Sequence, residues 1–224
     1  MFIKIGNWFF HYRNIIFPVF YAALFIPSSR IFSSAEMALV SGLLLIGIGI
    51  LVRSTTIGLV YIIRGGVKRM IHADTLVTDG IYKICRNPMY LGNILLIIGF
   101  GLLANSLLFC LIFTPLFIII YFFIIRAEED YLARKFGSLY VEYKSQTNAI
   151  IPRLKNIKPA FEGKRFNWKK VLNKEHNSLF IYFSGIGLLL LYHNYSGVGT
   201  FIIAQTILTI FYITIKTLKI RNII

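Results

Sequence analysis

Apolar residues run along this chain in long blocks, separated by short turn-forming or basic stretches. The first block covers residues 15–26, after a start that carries Lys4 and Arg13, and predicts a helix beginning near Trp8. Pro27-Ser28-Ser29-Arg30 follows as a turn, with no small-x-small cleavage pattern, so the block reads as a span rather than a removable signal. A second block starts at Met37 and passes Gly42, Gly47 and Gly49, a spacing that lets helices approach closely; it reaches Arg53 and resumes over residues 57–63. Residues 90–104 and 107–125, joined at Asn105-Ser106 and with Pro115 as a kink, predict a tight helical hairpin. Residues 179–192 and 198–215 supply a fifth and a sixth block. The third and fifth are short for a hydrocarbon layer of about 30 Å, which predicts tilt or local thinning.

The longest polar stretch, residues 127–178, is too short for a conventional second domain. Its first half carries Leu132, Phe136, Leu139 and Tyr143 at spacings of three and four, one face of a helix. Residues 166–174 mix Phe166, Trp168 and Leu172 with Lys169 and Lys170, next to Lys164 and Arg165, and predict a helix lying in the plane of a lipid surface. The expected architecture is an all-α polytopic membrane protein forming one integral membrane domain over residues 1–224, with about six transmembrane helices, or about five if the first block lies only at the interface. Within it, residues 155–224 would supply the interfacial helix and two C-terminal spans.

Composition agrees with the pattern. The chain is 57% hydrophobic and only 15% charged, with a mean hydropathy of +0.70. That excludes an ordinary soluble, secreted, disordered or collagenous chain. Charge then orients the spans. Basic residues crowd into 64–86, 126–174 and 216–221, whereas Asn105-Ser106 and residues 193–197 carry none. The positive-inside rule makes the crowded stretches cytoplasmic and puts both termini inside, with Arg30 alone out of place. The net charge of +15 therefore points to anionic lipid and not to nucleic acid. Abundant Ile, Asn and Lys suggest an AT-rich genome and a bacterial inner membrane. The two cysteines, Cys85 and Cys110, and four scattered histidines give no metal-ligand spacing, so no metal is expected.

Polar groups in or beside a membrane are costly, which makes them the places to look for chemistry. Arg86-Asn87-Pro88 precedes the third block: Pro88 suits the first turn of a helix, Asn87 its N-cap, and Arg86 beside a helix N-terminus offers an anion site. The plainer reading is a capped helix with a snorkelling arginine. Arg126-Ala127-Glu128-Glu129-Asp130 holds three of only nine acidic residues, at the end of the fourth block, and invites a cationic ligand or arginine partners. Arg53 either faces the bundle interior and meets a carboxylate, or marks the end of its span. Glu175-His176 before the fifth block is either functional or, on the plainer reading, an interfacial pair.

These residues also carry a resemblance. Leu76-Val77-Thr78-x-Gly80-x-Tyr82, then Arg86-x-Pro88-x-Tyr90-x-Gly92, then Arg126-Ala127-Glu128-Glu129, Phe136-Gly137-x-x-Tyr140-x-x-Tyr143 and Ile151-Pro152 resemble the isoprenylcysteine carboxyl methyltransferase and phospholipid methyltransferase superfamily. The likeness covers residues 53–154 and departs at Asn87, where the commonest pattern has His. It implies S-adenosylmethionine as methyl donor, a site at the cytoplasmic face, and a membrane lipid or a prenylated small molecule or peptide entering sideways from the bilayer. On that resemblance Arg86, Glu129 and Arg53 are the candidate catalytic residues. Tyr82, Asn87, Pro88, Tyr90, Gly92, Glu128, Glu129, Tyr140 and Tyr143 are the candidate cofactor-binding set. Asn87 cannot titrate, which favours a carboxylate or another acceptor that needs no base; phospholipid N-methylation stays open. An NADPH-dependent sterol or enone reductase shares the Arg-x-Pro-x-Tyr element but has Asn and Glu where this chain has Met89 and Asn93. A membrane scaffold that kept the fold is the non-catalytic alternative.

Overall fold

The computed structural model describes residues 1–60 and 70–221. The expected continuation of the second block to residue 63, and the basic Arg64, lie outside the described residues. All regular structure among the described residues is helical: α1 (Phe2–Ala22), α2 (Ala35–Leu59), α3 (Pro88–Leu103), α4 (Thr114–Phe136), α5 (Ser138–Gln146), α6 (Ile157–Phe161), α7 (Trp168–Tyr192) and α8 (Val198–Ile220), with 3-10 turns at Ala23–Phe25, Gly80–Lys83 and Leu154–Asn156 and a π-helical turn at Phe109–Phe113.

The long helices pack as antiparallel neighbours. Near the start of α1, Gly6 lies against Phe123 of α4, and Phe20 near its end meets Phe113 before α4 begins. α2 and α3 form the most extensive pair: a methyl group on Gly42 would lie 2.6 Å from the Leu103 nitrogen, and one on Gly49 would lie 2.9 Å from the Gly92 oxygen. Gly47 faces open space, so the expected small-residue contact there does not form. α7 and α8 form a hairpin, tied by Gln205 to Ser184 at 3.0 Å and by Tyr212 to Asn177 at 2.9 Å. The core between α1, α3 and α4 is aromatic, built on Phe100, Phe109, Phe117 and Tyr121.

One end of the bundle is closed by Asn105, which adopts φ +48°. Its Oδ1 accepts from the backbone of Ile31 at 2.9 Å and Phe32 at 2.8 Å, so the α3–α4 turn and the α1–α2 turn are one hydrogen-bonded unit. The start of α1, the end of α2, the starts of α3 and α7 and the ends of α4 and α8 collect at the other end.

Among the described residues, three helices are long and apolar enough to cross a membrane: Ala35–Leu59, Phe109–Phe136 and Val198–Ile220, with Pro88–Leu103 as a shorter apolar helix. α1 and α7 are long, but Lys4, Asn7, His11, Arg13 and Asn14 in one and Lys169 to Asn177 in the other make part of each polar. Two local expectations are corrected. Residues 166–174 form no separate in-plane helix: Asn167 caps α7, its Oδ1 accepting from the Lys170 N–H at 2.9 Å, and no breaker interrupts the helix before Tyr192. The stripe Leu132, Phe136, Leu139, Tyr143 is split, because Gly137 at φ +55° ends α4 and starts α5; Leu132 and Tyr143 stay buried while Leu139 faces outward.

Candidate functional site

Pro88 opens α3 as its spacing predicts, since a proline in the first turn forfeits no intrahelical hydrogen bond. Asn87 does not cap that helix through its side chain. It turns to the segment after α5 instead: its backbone N–H and its Nδ2 both donate to the Ala149 carbonyl, at 3.0 Å and 3.1 Å. The neighbouring Arg86 N–H donates to Asn148 at 2.8 Å. The segment after α5 is thereby laced to the entry of α3. Burial in the same turn pushes the Cys85 thiol up to about 12, so it is no nucleophile at neutral pH.

α4 continues straight through Arg126-Ala127-Glu128-Glu129-Asp130, so adjacent carboxylates project about 100° apart around one helix. Glu129 turns to Arg86. Its Oε1 accepts from Nε at 3.0 Å and from Nη2 at 2.6 Å, while the Lys144 ammonium of α5 sits 3.0 Å from Oε2. The Arg86 Nη1 also donates to the Lys144 carbonyl at 3.2 Å and to the Thr147 carbonyl. A carboxylate offers about four lone-pair positions, so Oε2 keeps acceptor capacity beyond Lys144. Glu128 turns to α3, where the Tyr90 hydroxyl donates to its Oε1 at 2.5 Å. Both glutamates are buried.

The site set divides in space. Arg86, Asn87, Pro88, Tyr90, Glu128 and Glu129 come together where α3 begins and α4 leaves the bundle. Tyr82, Tyr140 and Tyr143 lie in a second small core with Leu132 and Ala160, where the Tyr143 hydroxyl donates to the Tyr82 carbonyl at 2.8 Å. Gly92 faces α2, and a methyl group there would lie 2.6 Å from the Arg53 Cγ. Arg53 therefore lies apart from the Arg86–Glu129 pair, inside the bundle. It meets Glu175 of α7 in a bidentate ion pair, Nε to Oε2 at 2.9 Å and Nη2 to Oε1 at 2.7 Å. Of its two readings, the interior one holds. Its third edge donates to the Asn93 Oδ1, and the Asn93 Nδ2 donates to the Tyr121 hydroxyl at 2.7 Å.

Sequence reasoning missed Lys144, Asn93, Tyr121 and the partnership of Glu175. Asn93 carried a usable signal, as a polar side chain in the middle of an apolar helix; Lys144 carried none beyond the general basic character of its stretch.

A cleft of about 580 Å³ opens at Glu129, bounded by Phe2, Phe122, Arg126, Asp130 and Lys144 among others. That is within the range of about 300–1,000 Å³ usual for small-molecule sites. Its wall carries two carboxylates and two cations, a donor set that suits a ligand bearing both an ammonium and a carboxylate. The aromatic faces in its wall are those of Phe2 and Phe122, not the candidate tyrosines. Among the described residues no three His, Cys, Asp or Glu side chains gather to hold a metal ion.

Residues 37–138 match the family described as phospholipid methyltransferase. The cobalt-zinc-cadmium resistance protein CzcN of Cupriavidus metallidurans is 40% identical over 36% of this chain and 37% of its own. The nickel-cobalt-cadmium resistance protein NccN of Alcaligenes xylosoxydans xylosoxydans is 37% identical over 35% and 37%. The protein-S-isoprenylcysteine O-methyltransferase of Saccharomyces cerevisiae is 40% identical over 34% and 32%. The matched stretch thus spans about a third of the length of these curated relatives. No solved structure matches.

Proposed function

Since residues 37–138 are a phospholipid methyltransferase family segment, we propose that this chain transfers a methyl group from S-adenosylmethionine to a lipid-like acceptor at the cytoplasmic face of a membrane. The observation that carries the reading is the cleft at Glu129, whose wall pairs two acidic with two basic side chains between the start of α1, the end of α4 and Lys144 of α5. When bound, the cofactor supplies an electrophilic methyl group on a sulfonium centre. Glu129 would hold the cofactor's ammonium, and Lys144 and Arg126 would hold its carboxylate. Arg86 holds Glu129 in place and ties the Lys144 and Thr147 carbonyls to it, so the donor groups are set before any ligand arrives. The Phe2 and Phe122 rings give part of the cleft an apolar wall; a site from which bound ligands displace water would favour a step in which anion and cation neutralise each other.

The acceptor in this reading carries a carboxylate. Such an acceptor would take the methyl group that the bound cofactor supplies, giving an ester with no proton to move, so no base would be required of this chain. Asn87 fits that economy: it has no titrating group, and its amide is spent on Ala149. The apolar outer faces of α2, α4 and α8 suit lateral entry from lipid. The basic residues gathered at the cleft end support placing that end in the cytoplasm, with six helices (α1, α2, α3, α4, α7 and α8) crossing between the two faces. Purified protein in nanodiscs, given methyl-labelled S-adenosylmethionine, should label isoprenoid or fatty carboxylic acids in a base-labile form. Label appearing only in phosphatidylethanolamine would replace the carboxylate with an amine acceptor, and no label in any lipid would defeat the reading.

A further inference from the structure

The matched segment ends at residue 138, yet a buried ion pair inside the bundle draws one partner from well beyond it. Glu175 sits on α7, is 4% exposed, and is 122 residues from Arg53 in sequence. A buried charge pair does not arise by default: removing two ions from water costs several kcal/mol each, and hydrophobic side chains of similar volume serve stability as well or better. Its neighbours show what else it does. A guanidinium has only donors, so the edge it presents to Asn93 must meet the amide oxygen. The orientation of Asn93 is then fixed, with Nδ2 facing α4 and donating to the Tyr121 hydroxyl at 2.7 Å. The Tyr121 ring packs on the Tyr90 ring, centroids 4.7 Å apart and planes inclined by 37°. Tyr90 in turn donates to Glu128 at 2.5 Å. Each link is a contact of defined polarity or a close ring pair, and the whole runs across α7, α2, α3 and α4.

We propose that Glu175 is a positioning residue acting beside the cofactor site: through Arg53, Asn93 and the Tyr121–Tyr90 ring pair, it sets the hydrogen bond that Tyr90 donates to Glu128, the residue next to Glu129 on α4. The role at the cofactor site rests on the methyltransferase reading above; the relay itself rests only on the contacts. The α7–α8 hairpin, outside the matched segment, thereby becomes part of the site it does not touch. Gly92 is the spatial condition for this, since any side chain there would displace the Arg53 stem.

The test separates a relay from a simple counter-ion. Glu175→Gln removes the charge and keeps the shape. Asn93→Asp added to it returns a carboxylate to Arg53 but takes away the N–H that holds Tyr121. Protein labelled at tyrosine Cζ is compared by NMR in detergent micelles without ligand, with Tyr90→Phe and Tyr121→Phe identifying the two resonances. The relay predicts that Glu175→Gln shifts both resonances and weakens S-adenosylmethionine binding about fivefold, an ordinary size for coupled neighbours. It further predicts that the double variant regains thermal stability while the resonances and the affinity stay displaced. A counter-ion role alone predicts that stability and affinity recover together with both resonances at their wild-type positions, and that result overturns the proposal. Should Glu175→Gln fail to fold, Asn93→Asp alone decides: it leaves Arg53 an acceptor and must still move the Tyr90 resonance. If the wild type binds no S-adenosylmethionine, the functional reading fails, and the tyrosine resonances still judge the relay.

Discussion

Among the described residues, two buried arginine–carboxylate pairs are built to different plans. Arg53–Glu175 is closed: both groups are inside the bundle, the carboxylate is taken bidentately, and the remaining guanidinium edge is spent on Asn93. Arg86–Glu129 is open on one side. Arg86 uses a single oxygen of Glu129 and directs its other edge to backbone carbonyls, while the second oxygen meets a half-exposed lysine at the wall of a cleft. The first is a tie between helices. The second is a prepared acceptor, with charge and geometry supplied and capacity left over.

The comparison breaks most sharply at the closed pair. Glu175→Ala leaves Arg53 as an uncompensated buried charge and should cost about 3–5 kcal/mol. The melting temperature in detergent measures it, and the double variant Glu175→Ala/Arg53→Met should recover much of the loss. An undiminished melting temperature for Glu175→Ala would show that the pair is solvated. Next in size is Gly92→Ala, whose methyl group meets the Arg53 stem; overpacking of this kind costs about 1–3 kcal/mol. Gly47→Ala, facing open space, should cost nothing measurable by the same melt.

At the open pair the effect should fall on binding rather than folding. Glu129→Gln should weaken S-adenosylmethionine at least about tenfold, or about 1.4 kcal/mol, by isothermal calorimetry. Equal affinity in a folded variant would remove Glu129 from the cofactor's contacts. Arg86→Lys is a cleaner companion than Arg86→Ala, because Arg86 also holds the Lys144 and Thr147 carbonyls, and its loss would loosen the loop as well as the charge.

A small effect belongs to a surface charge cluster. The hydrogen bond and charge of Lys164, helped by Lys83, hold the Asp79 carboxyl below its ordinary value. A depressed folded-state value adds stability above the unfolded carboxylate's pKa and loses it as pH falls through the folded one. Asp79→Asn should therefore lower the melting temperature slightly at pH 7 and not at all in strong acid. At that exposed site the difference is at most a fraction of what either buried pair gives.

How much the sequence disclosed follows the same divide. The open site was legible because its parts are local: Pro88 opening a helix, two glutamates at a helix exit, a basic residue one position before the Asn-Pro step. The hairpin at Asn105-Ser106 was legible for the same reason. The closed pair was half legible. Arg53 announced itself as a charge in an apolar run, but nothing periodic points to a partner on α7. Local pattern also misled at residues 166–174, where an amphipathic stretch looked like an interfacial helix and is the first part of α7. Asn87 looked like a cap because Asn-Pro steps often are; the distant Ala149 carbonyl competed for its amide and won. The tyrosines Tyr82, Tyr140 and Tyr143 carry the resemblance, yet they pack on one another beside the site.

The central claim is that the cleft at Glu129 receives S-adenosylmethionine. Equilibrium binding to the purified wild-type protein in nanodiscs, with NADPH measured alongside, tests it most directly. Saturable binding of S-adenosylmethionine at micromolar concentration, with none of NADPH, is the predicted result. Binding of NADPH alone, or of neither ligand by protein whose melt shows it folded, would contradict it.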